Sequence, residues 1–158
     1  RAGAPFADLA ALSGRDGSHD PEALLDEVRE LLWDHAGILR EGEELTAALD
    51  ELEGLRERAA DLAVGDRTDR SFEFALDVGF ALTVAEAVLR GALERAESRG
   101  AHVRTDYPET DPEWRRSVVI GRDSVGAMRV DTAPVGTPSE AVQDALDEGY
   151  ELDYHQLE

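Results

Sequence analysis

The chain has 158 residues, enough for one domain with a substantial core or for a domain with an appendage. Cysteine is absent, which excludes disulfides, thiolate zinc sites, iron–sulfur ligation and a thiol nucleophile. Asp and Glu number 36 against 16 basic residues, all of them Arg, so the formal net charge is -20 and no basic face is available for nucleic acid.

The acidic residues are spread along the whole chain. Self-repulsion destabilises such a chain at low salt, and screening removes the repulsion because the Debye length falls to about 3 Å at 1 M salt. A phosphate mimic and a cation buffer are the functional alternatives. The even distribution favours adaptation to a salty cytoplasm, as in a halophilic organism.

Residues 1–20 are rich in Gly, Ala, Ser and Asp and are predicted to form a linker or a loosely docked segment. No apolar stretch approaches the roughly 20 residues of a membrane span, and no signal peptide is recognisable. The opening RAGAPFADLAALSG, without an initiator Met, indicates a piece of a longer chain.

Three amphipathic segments predict a mainly α fold, an antiparallel three-helix bundle similar to a spectrin repeat, over residues 21–114. Asp20 and Pro21 provide an N-cap and a first helical residue for the first helix. Its apolar stripe contains Leu24, Val28, Leu31, His35 and Ile38, and it is widened by Leu25, Leu32 and Leu39.

The second helix is predicted over residues 43–63, between Gly42 and the Gly65-Asp66 pair. Its apolar face contains Leu45, Leu49, Leu52, Leu55, Ala59 and Leu62. The third helix is predicted from Arg70 to Arg99, a length of about 45 Å. Its centre is apolar on nearly all sides, which predicts burial on more than one face. Small residues that allow neighbours to approach are Gly79, Ala81, Ala85 and Gly91.

The apolar period changes from 3.6 to 2 after Trp114. The segments SVVIG and AMRVD flank the turn-forming RDSVG, which predicts a β-hairpin. Pro138 is expected to start a short helix, PSEAVQDALDEG, before the tail YELDYHQLE. Residues 115–158 are therefore predicted to be a hairpin with a C-terminal tail.

Residue patterns alone predict no active site. The histidines His19, His35, His102 and His155 include no pair with zinc-site helical spacing, so no metal site is expected. His35 is interpreted as a satisfied boundary residue. No strand–GxGxxG–helix fingerprint or Walker loop occurs. Glu86, in the most apolar part of the third helix, is either a proton-handling acid or, as we favour, paired with an Arg of another helix or domain.

The segment ESRGAHVRTDYPETDPEW, residues 97–114 and called the signature segment below, resembles a motif of the flavoprotein subunit of succinate dehydrogenase and fumarate reductase. The matching residues are Glu97, Ser98, Arg99, Gly100, Ala101, His102, Arg104, Asp106, Tyr107, Pro108 and Trp114. Weaker matches in LLWDHAGILREGEEL, LDVGFALTVAEAVL and GAMRVDTAPV extend the resemblance to about residues 21–135. Thr83, Ala133 and the segment Arg116-Ser117-Val118 depart from the family pattern.

The resemblance implies the C-terminal helical domain of an FAD-dependent enzyme that interconverts succinate and fumarate. It implies that the flavin and the catalytic residues belong to flavin-binding and capping domains that precede this region, so no catalytic, cofactor or metal residue is expected here. The implied partners are those two domains and an iron–sulfur subunit. The implied location is the cytoplasmic face of a membrane, without direct insertion. The C-terminal domain of L-aspartate oxidase and an unrelated helical interaction module remain alternatives.

The signature segment is interpreted as a domain-interface motif. Gly100 is expected to cap the third helix in the left-handed conformation. Arg99 and Arg104 are expected to fan outward and clamp carboxylates across a domain boundary. Tyr107 and Trp114 offer flat apolar surface with one polar group each. The alternative is that these residues lock the bundle internally.

Overall fold

A computed structural model describes residues 9–149, so residues 1–8 and the tail after Gly149, including His155, lie outside the described residues. The helices are α1 (Leu9–Leu12), α2 (Pro21–His35), α3 (Gly42–Ala59), α4 (Arg70–Glu94) and α5 (Glu140–Asp147), with a 3₁₀ turn at Pro112–Trp114. The strands are β1 (Leu39–Arg40), β2 (Val103–Arg104), β3 (Arg116–Arg122) and β4 (Met128–Pro134).

Helices α2, α3 and α4 contact one another in all three pairs, which confirms the predicted three-helix bundle. Each contributes one buried stripe at helical spacing to a single core. The buried core residues are Leu24, Leu25, Val28, Leu31, Leu45, Ala48, Leu52, Leu55, Leu62, Val64, Ala75, Val78, Leu82, Ala85, Leu89 and Ala92. The predicted cap of α2 is confirmed, since the Asp20 carboxylate accepts a hydrogen bond from the Ala23 N–H at 2.8 Å.

The first helix ends at His35, so the expectation that Ile38 and Leu39 extend its buried stripe is wrong. Both side chains are exposed. The chain leaves the helix at Ala36 and forms β1, which pairs in parallel with β2 through Leu39 opposite Val103. His35 is half-buried and contacts the Glu44 carboxylate at 3.0 Å, as expected of a boundary residue.

The second helix ends at Ala59 rather than at residue 63. Beyond it the chain is extended, and the Ala63 N–H donates to His19 O at 2.8 Å while the Val64 N–H donates to Arg15 O at 2.9 Å. Leu62 remains buried from this extended segment. The part of the predicted linker around Arg15 and His19 is thus hydrogen-bonded to the bundle.

The third helix is buried on a second face only towards its C-terminal end. There Gly91 lies against the hairpin, and a Cβ at this position would be 3.8 Å from side-chain carbons of Val118 and Ile120. Farther along the same helix, Val84 is 57% exposed, so the expectation of burial on more than one face is wrong for the middle of α4.

The predicted β-hairpin is confirmed. Strands β3 and β4 pair antiparallel, with Ile120 opposite Val130. The turn is held by the Asp123 carboxylate, which accepts hydrogen bonds from the N–H groups of Val125 and Ala127, each at 2.9 Å. The predicted short helix is also present, although it begins at Glu140 after the cap residue Ser139 rather than at Pro138.

Candidate domain interface at the end of the bundle

The signature segment folds into a compact loop directly beyond α4. The loop turns tightly between Arg99 and His102, which exchange two backbone hydrogen bonds of 2.8 and 3.1 Å. Gly100 has φ 59° in this turn, a conformation that favours glycine. The expectation that Gly100 caps α4 is therefore wrong, because the helix ends at Glu94 and its cap residue is the extended Arg95.

Glu97 is the buried carboxylate of this loop, with 0% of its surface exposed. Arg99 binds both of its oxygens, from Nε at 2.8 Å and from Nη2 at 3.0 Å, and Arg95 Nη1 adds a further hydrogen bond. The Asp111 N–H donates to Oε2 at 2.9 Å. The hydrogen bonds from Arg99 outweigh burial and, with those from Asp111 and Arg95, lower the pKa of Glu97 to about 2. Glu97 is thus an ionised anchor.

Arg104 caps the C-terminus of α4 from inside the protein. Only 2% of the residue is exposed, and Nη1 donates to the carbonyl oxygens of Ala92 at 3.0 Å, Leu93 at 3.1 Å and Arg95 at 3.3 Å. The last carbonyls of a helix lack intrahelical partners and carry partial negative charge. A buried guanidinium satisfies both needs.

The opposite edge of the Arg104 guanidinium binds Asp106 in a bidentate pair, with Nε–Oδ1 at 2.7 Å and Nη2–Oδ2 at 2.6 Å. Asp106 Oδ2 also accepts the Gly42 N–H at 3.1 Å and so caps the start of α3. The Arg104 hydrogen bond outweighs burial and, with the Gly42 N–H, lowers the pKa of Asp106 to about 2. A Cβ at position 42 would lie 2.8 Å from Asp106 Oδ2 and 2.9 Å from Arg104 Nη2.

His102 connects this loop to the end of α2. Its Nδ1 lies 2.7 Å from Arg40 Nη1, and its Nε2 lies 3.0 Å from the Arg95 carbonyl oxygen. Because a guanidinium only donates, Nδ1 must accept and Nε2 must carry the proton. Burial lowers the pKa of His102, and the charges of Arg40, Arg104 and Arg95 lower it further, so the neutral ring is the favoured form.

Arg40 serves α2 as Arg104 serves α4. Its Nε donates to Gly37 O at 2.7 Å and its Nη2 donates to Ala36 O at 3.2 Å, both just beyond the last turn of the helix. Two helix ends and the start of a third therefore meet in one network.

The remaining polar groups of the signature segment tie the loop to itself and to the hairpin. Ser98 Oγ accepts the Arg104 N–H at 2.9 Å and donates to Tyr107 O at 2.8 Å. Arg95 Nη2 donates to the Arg116 carbonyl at 2.7 Å, and its guanidinium lies 5.4 Å from the centroid of the half-buried Trp114 ring. Ala101 is exposed in the turn.

The structure thus gathers the signature residues at one end of the bundle but assigns most of their polar groups to internal bonds. The expectation that Arg104 fans outward is wrong. Arg99 is partly exposed while it binds Glu97. Sequence reasoning missed Arg40, Arg95 and Gly42. The signal for Arg40 was its position at the end of the first-helix motif, whereas nothing local in the sequence marked the other two.

Large apolar side chains remain exposed beside this network. We call the following four the end patch: Trp33 (83% exposed), Ile38 (65%), Leu39 (68%) and Tyr107 (47%). Leu39 pairs through its backbone with Val103, and Arg104 shares a backbone bridge with Tyr107, so the network holds these residues from beneath. Contiguous exposed apolar surface of this kind marks interaction sites.

Glu86 is paired with arginines, as favoured from the sequence. Arg56, on α3, donates from Nη2 to Oε2 at 2.5 Å, and Arg90 donates from Nε to Oε1 at 2.7 Å. Burial raises the pKa of Glu86, but the hydrogen bonds from Arg90 and Arg56 outweigh burial and hold this pKa below its usual value. A lowered pKa does not suit a proton donor at neutral pH.

The described residues do not fit a bound FAD. Phosphate groups bind at free helix N-termini, yet Asp20 and Asp69 place carboxylates on the first N–H groups of α2 and α4. Residues 9–149 contain no group of three or more His, Asp or Glu side chains placed to hold a metal ion. Within the same range, no helix is long and apolar enough to cross a membrane.

Comparison with known proteins identifies the family. A family model described as fumarate reductase flavoprotein C-term matches residues 25–145. A fumarate reductase (CoM/CoB) of Methanothermobacter marburgensis is 40% identical over 111 residues, which cover 68% of this chain and 20% of that protein. L-aspartate oxidase of Pyrococcus furiosus is 42% identical over 96 residues, which cover 61% of this chain and 16% of that protein.

The fold agrees with this assignment. The solved structure of Mycobacterium smegmatis Sdh1 superposes with a TM-score of 0.79 at 32% identity, covering 93% of this chain and 26% of that one. The chain spans about a fifth of the length of the curated relatives it matches. The alternative of an unrelated helical module is thereby excluded, and the chain belongs to the family of fumarate reductase flavoprotein C-terminal domains.

Proposed function

We propose that the chain is the C-terminal docking domain of an FAD-dependent succinate dehydrogenase or fumarate reductase flavoprotein, and that the full-length protein interconverts succinate and fumarate. The flavin-binding and capping domains of the same polypeptide bind FAD and carry the catalytic groups. The second partner is an iron–sulfur subunit. It connects the enzyme to electron transport and the tricarboxylic acid cycle at the cytoplasmic face of a membrane.

The observation that carries this proposal is the end patch on its rigid base. Trp33 and Leu39 expose most of their surface, although burying such side chains is worth about 1.5–3 kcal/mol each. The buried Glu97 and Arg104 bonds fix the backbone beneath them, and a preorganised surface loses little entropy on docking. The end patch is proposed to bury against the flavin-binding domain.

The test substitutes Leu39→Asp in the full-length flavoprotein. Because this side chain is exposed in the isolated domain, the domain itself should keep its helical circular dichroism and its urea midpoint. In the full-length protein a charge would be forced into an apolar interface, so retained FAD per polypeptide and the succinate-dependent reduction of a dye should fall by roughly ten-fold or more.

Val125→Asp is the matched control, since Val125 is also a strongly exposed apolar residue but lies at the tip of the hairpin. It should leave flavin content and activity unchanged. Full flavin retention and full activity in Leu39→Asp would show that the end patch is not the docking surface.

A second candidate activity is that of an L-aspartate oxidase, which the Pyrococcus furiosus relative favours. Ala101 speaks against it, since the resemblance places leucine there in that branch. Assaying the full-length protein with succinate and with L-aspartate as alternative electron donors separates the two. Turnover with L-aspartate alone would exclude the succinate–fumarate assignment.

A further inference from the structure

A pocket of about 320 Å³ lies between α3, the middle of α4 and the tip of the hairpin. Its lining includes three arginines, Arg56, Arg90 and Arg122, but a single carboxylate, that of Glu86. Two positive charges in the lining are therefore unmatched. Such a balance is unexpected in a chain with a net charge of -20.

The hydrogen bonds of the pocket leave many donors unused. Glu86 occupies only Arg56 Nη2 and Arg90 Nε, and Arg56 Nη2 also donates to the Leu82 carbonyl. Arg122 donates only from Nη1, to the Gly126 carbonyl at 3.1 Å. A guanidinium has five N–H donors. Among the described residues, both terminal nitrogens of Arg90 and Nε and Nη2 of Arg122 have no recorded hydrogen-bond acceptor.

Glu86 holds the arginines in place rather than satisfying them. Its two oxygens fix Arg56 on one helix and Arg90 on another, and its side chain is 14% exposed. Arg122 approaches from the hairpin, an independent element that packs on α4. Three guanidinium groups on three elements thus converge without a helix terminus being involved.

We propose that this pocket binds a small dianionic oxyanion, a phosphate or a short dicarboxylate, with Arg90 and Arg122 as its principal ligands. Arginine forks bind the paired oxygens of carboxylate and phosphate groups. The two unmatched charges suit a dianion better than a monoanion. Met128 and Ala127 supply a short apolar wall, so the ligand must be compact.

The charge of the whole chain makes the test selective. A protein with a net charge of -20 repels anions in general, so saturable anion binding requires a local arrangement of cations. Calorimetric titration of the 158-residue chain with inorganic phosphate, and separately with malonate, should give a saturable isotherm at constant ionic strength. Formate, a monoanion, should bind at least about ten-fold more weakly than the preferred dianion.

Arg122→Gln removes one ligand without touching the Glu86 pairs and should weaken binding by at least about ten-fold. Arg129→Gln is the matched control, because Arg129 lies on the same hairpin, loses the same charge and is exposed in its pair with Asp131. It should leave the dissociation constant within about two-fold of the original.

The two titrants separate the possible sources, since a site built for phosphate saturates with phosphate first and a dicarboxylate site with malonate first. Heats that grow only with ionic strength, or equal losses in both variants, would overturn the proposal. The outcome does not depend on the end patch or on the activity of the full-length protein.

Discussion

At the scale of single residues, the function of Arg104 is that of a helix cap supplied from ten residues beyond the end of the helix it caps. Its position in the sequence suggested an outward-facing clamp. Its burial and its bonds to three carbonyl oxygens and one carboxylate show an internal lock instead. A residue of this kind stabilises the loop by satisfying groups that would otherwise be buried without partners.

Replacing Arg104 by Ala should lower the free energy of unfolding of the isolated chain by about 3–5 kcal/mol, because Asp106 and the carbonyls of α4 lose their buried partner. Urea denaturation followed by circular dichroism measures this loss. Arg129→Ala, at an exposed pair, should cost about 0–1 kcal/mol. Arg104→Lys keeps the charge and should lie between the two. Equal midpoints for Arg104→Ala and the original chain would contradict the internal lock.

Glu97 makes stability depend on pH. Its folded-state pKa of about 2 lies below the ordinary value of 4.5, so its stabilising contribution is complete above that ordinary value and is lost as pH falls towards 2. Such a shift corresponds to about 3 kcal/mol.

The measurement compares the original chain with Glu97→Gln across acidic pH, which cancels the titration of all other groups. The stability difference should be largest at about pH 6 and shrink as pH falls towards about 2. A difference that stays constant over this range would show that Glu97 is not held ionised by its arginines.

At the scale of elements, each of the three helices stops before its amphipathic pattern does. Helix α2 ends at His35, α3 at Ala59 and α4 at Glu94, although suitable residues continue in each case. The periodicity of a sequence reports which face could be buried, but not where a distant side chain or strand competes for the backbone. Arg40, Arg104 and the segment at Arg15 are such competitors.

Two glycines at helix positions should respond oppositely to Ala. In Gly91→Ala the new Cβ meets Val118 and Ile120 at ordinary contact distance, so the better helix propensity of Ala should stabilise the chain by about 0.5–1 kcal/mol. In Gly42→Ala the Cβ would overlap the paired Arg104 and Asp106 side chains, and the chain should lose about 1–3 kcal/mol.

Thermal melts of the two variants beside the original chain measure both effects. A loss of stability in Gly91→Ala would mean that the hairpin packs closer to α4 than the structure shows. No loss in Gly42→Ala would mean that the Arg104–Asp106 pair moves freely.

At the scale of the whole molecule, charge dominates. With a net charge of -20, repulsion opposes the compact state at low salt, whereas the buried bonds of Glu97 and Arg104 are poorly accessible to screening ions. The melting midpoint should therefore rise between dilute buffer and molar KCl. The control is a melt in an equal concentration of an uncharged osmolyte, which does not screen charge. A midpoint that is unchanged or lower in KCl would refute adaptation to a salty environment.

Much of this protein was determined by the sequence itself. The apolar stripes of α2, α3 and α4 predicted the bundle because burial of one helical face is a local, periodic property. The alternation of β3 and β4 around the Asp123 turn predicted the hairpin for the same reason. The signature segment pointed to the family and to the end of α4, since it is a contiguous motif.

Tertiary structure decided what the signature residues do. Arg40 and His102 are far apart in sequence, as are Gly42 and Asp106, and only the fold brings each pair into hydrogen-bond contact. Whether Arg104 faces a partner or caps its own helix depends on which carbonyl oxygens lie nearby, and a sequence motif does not contain that distance. Polar groups in a folded chain bind the nearest unsatisfied groups in space, and these are seldom their neighbours along the chain.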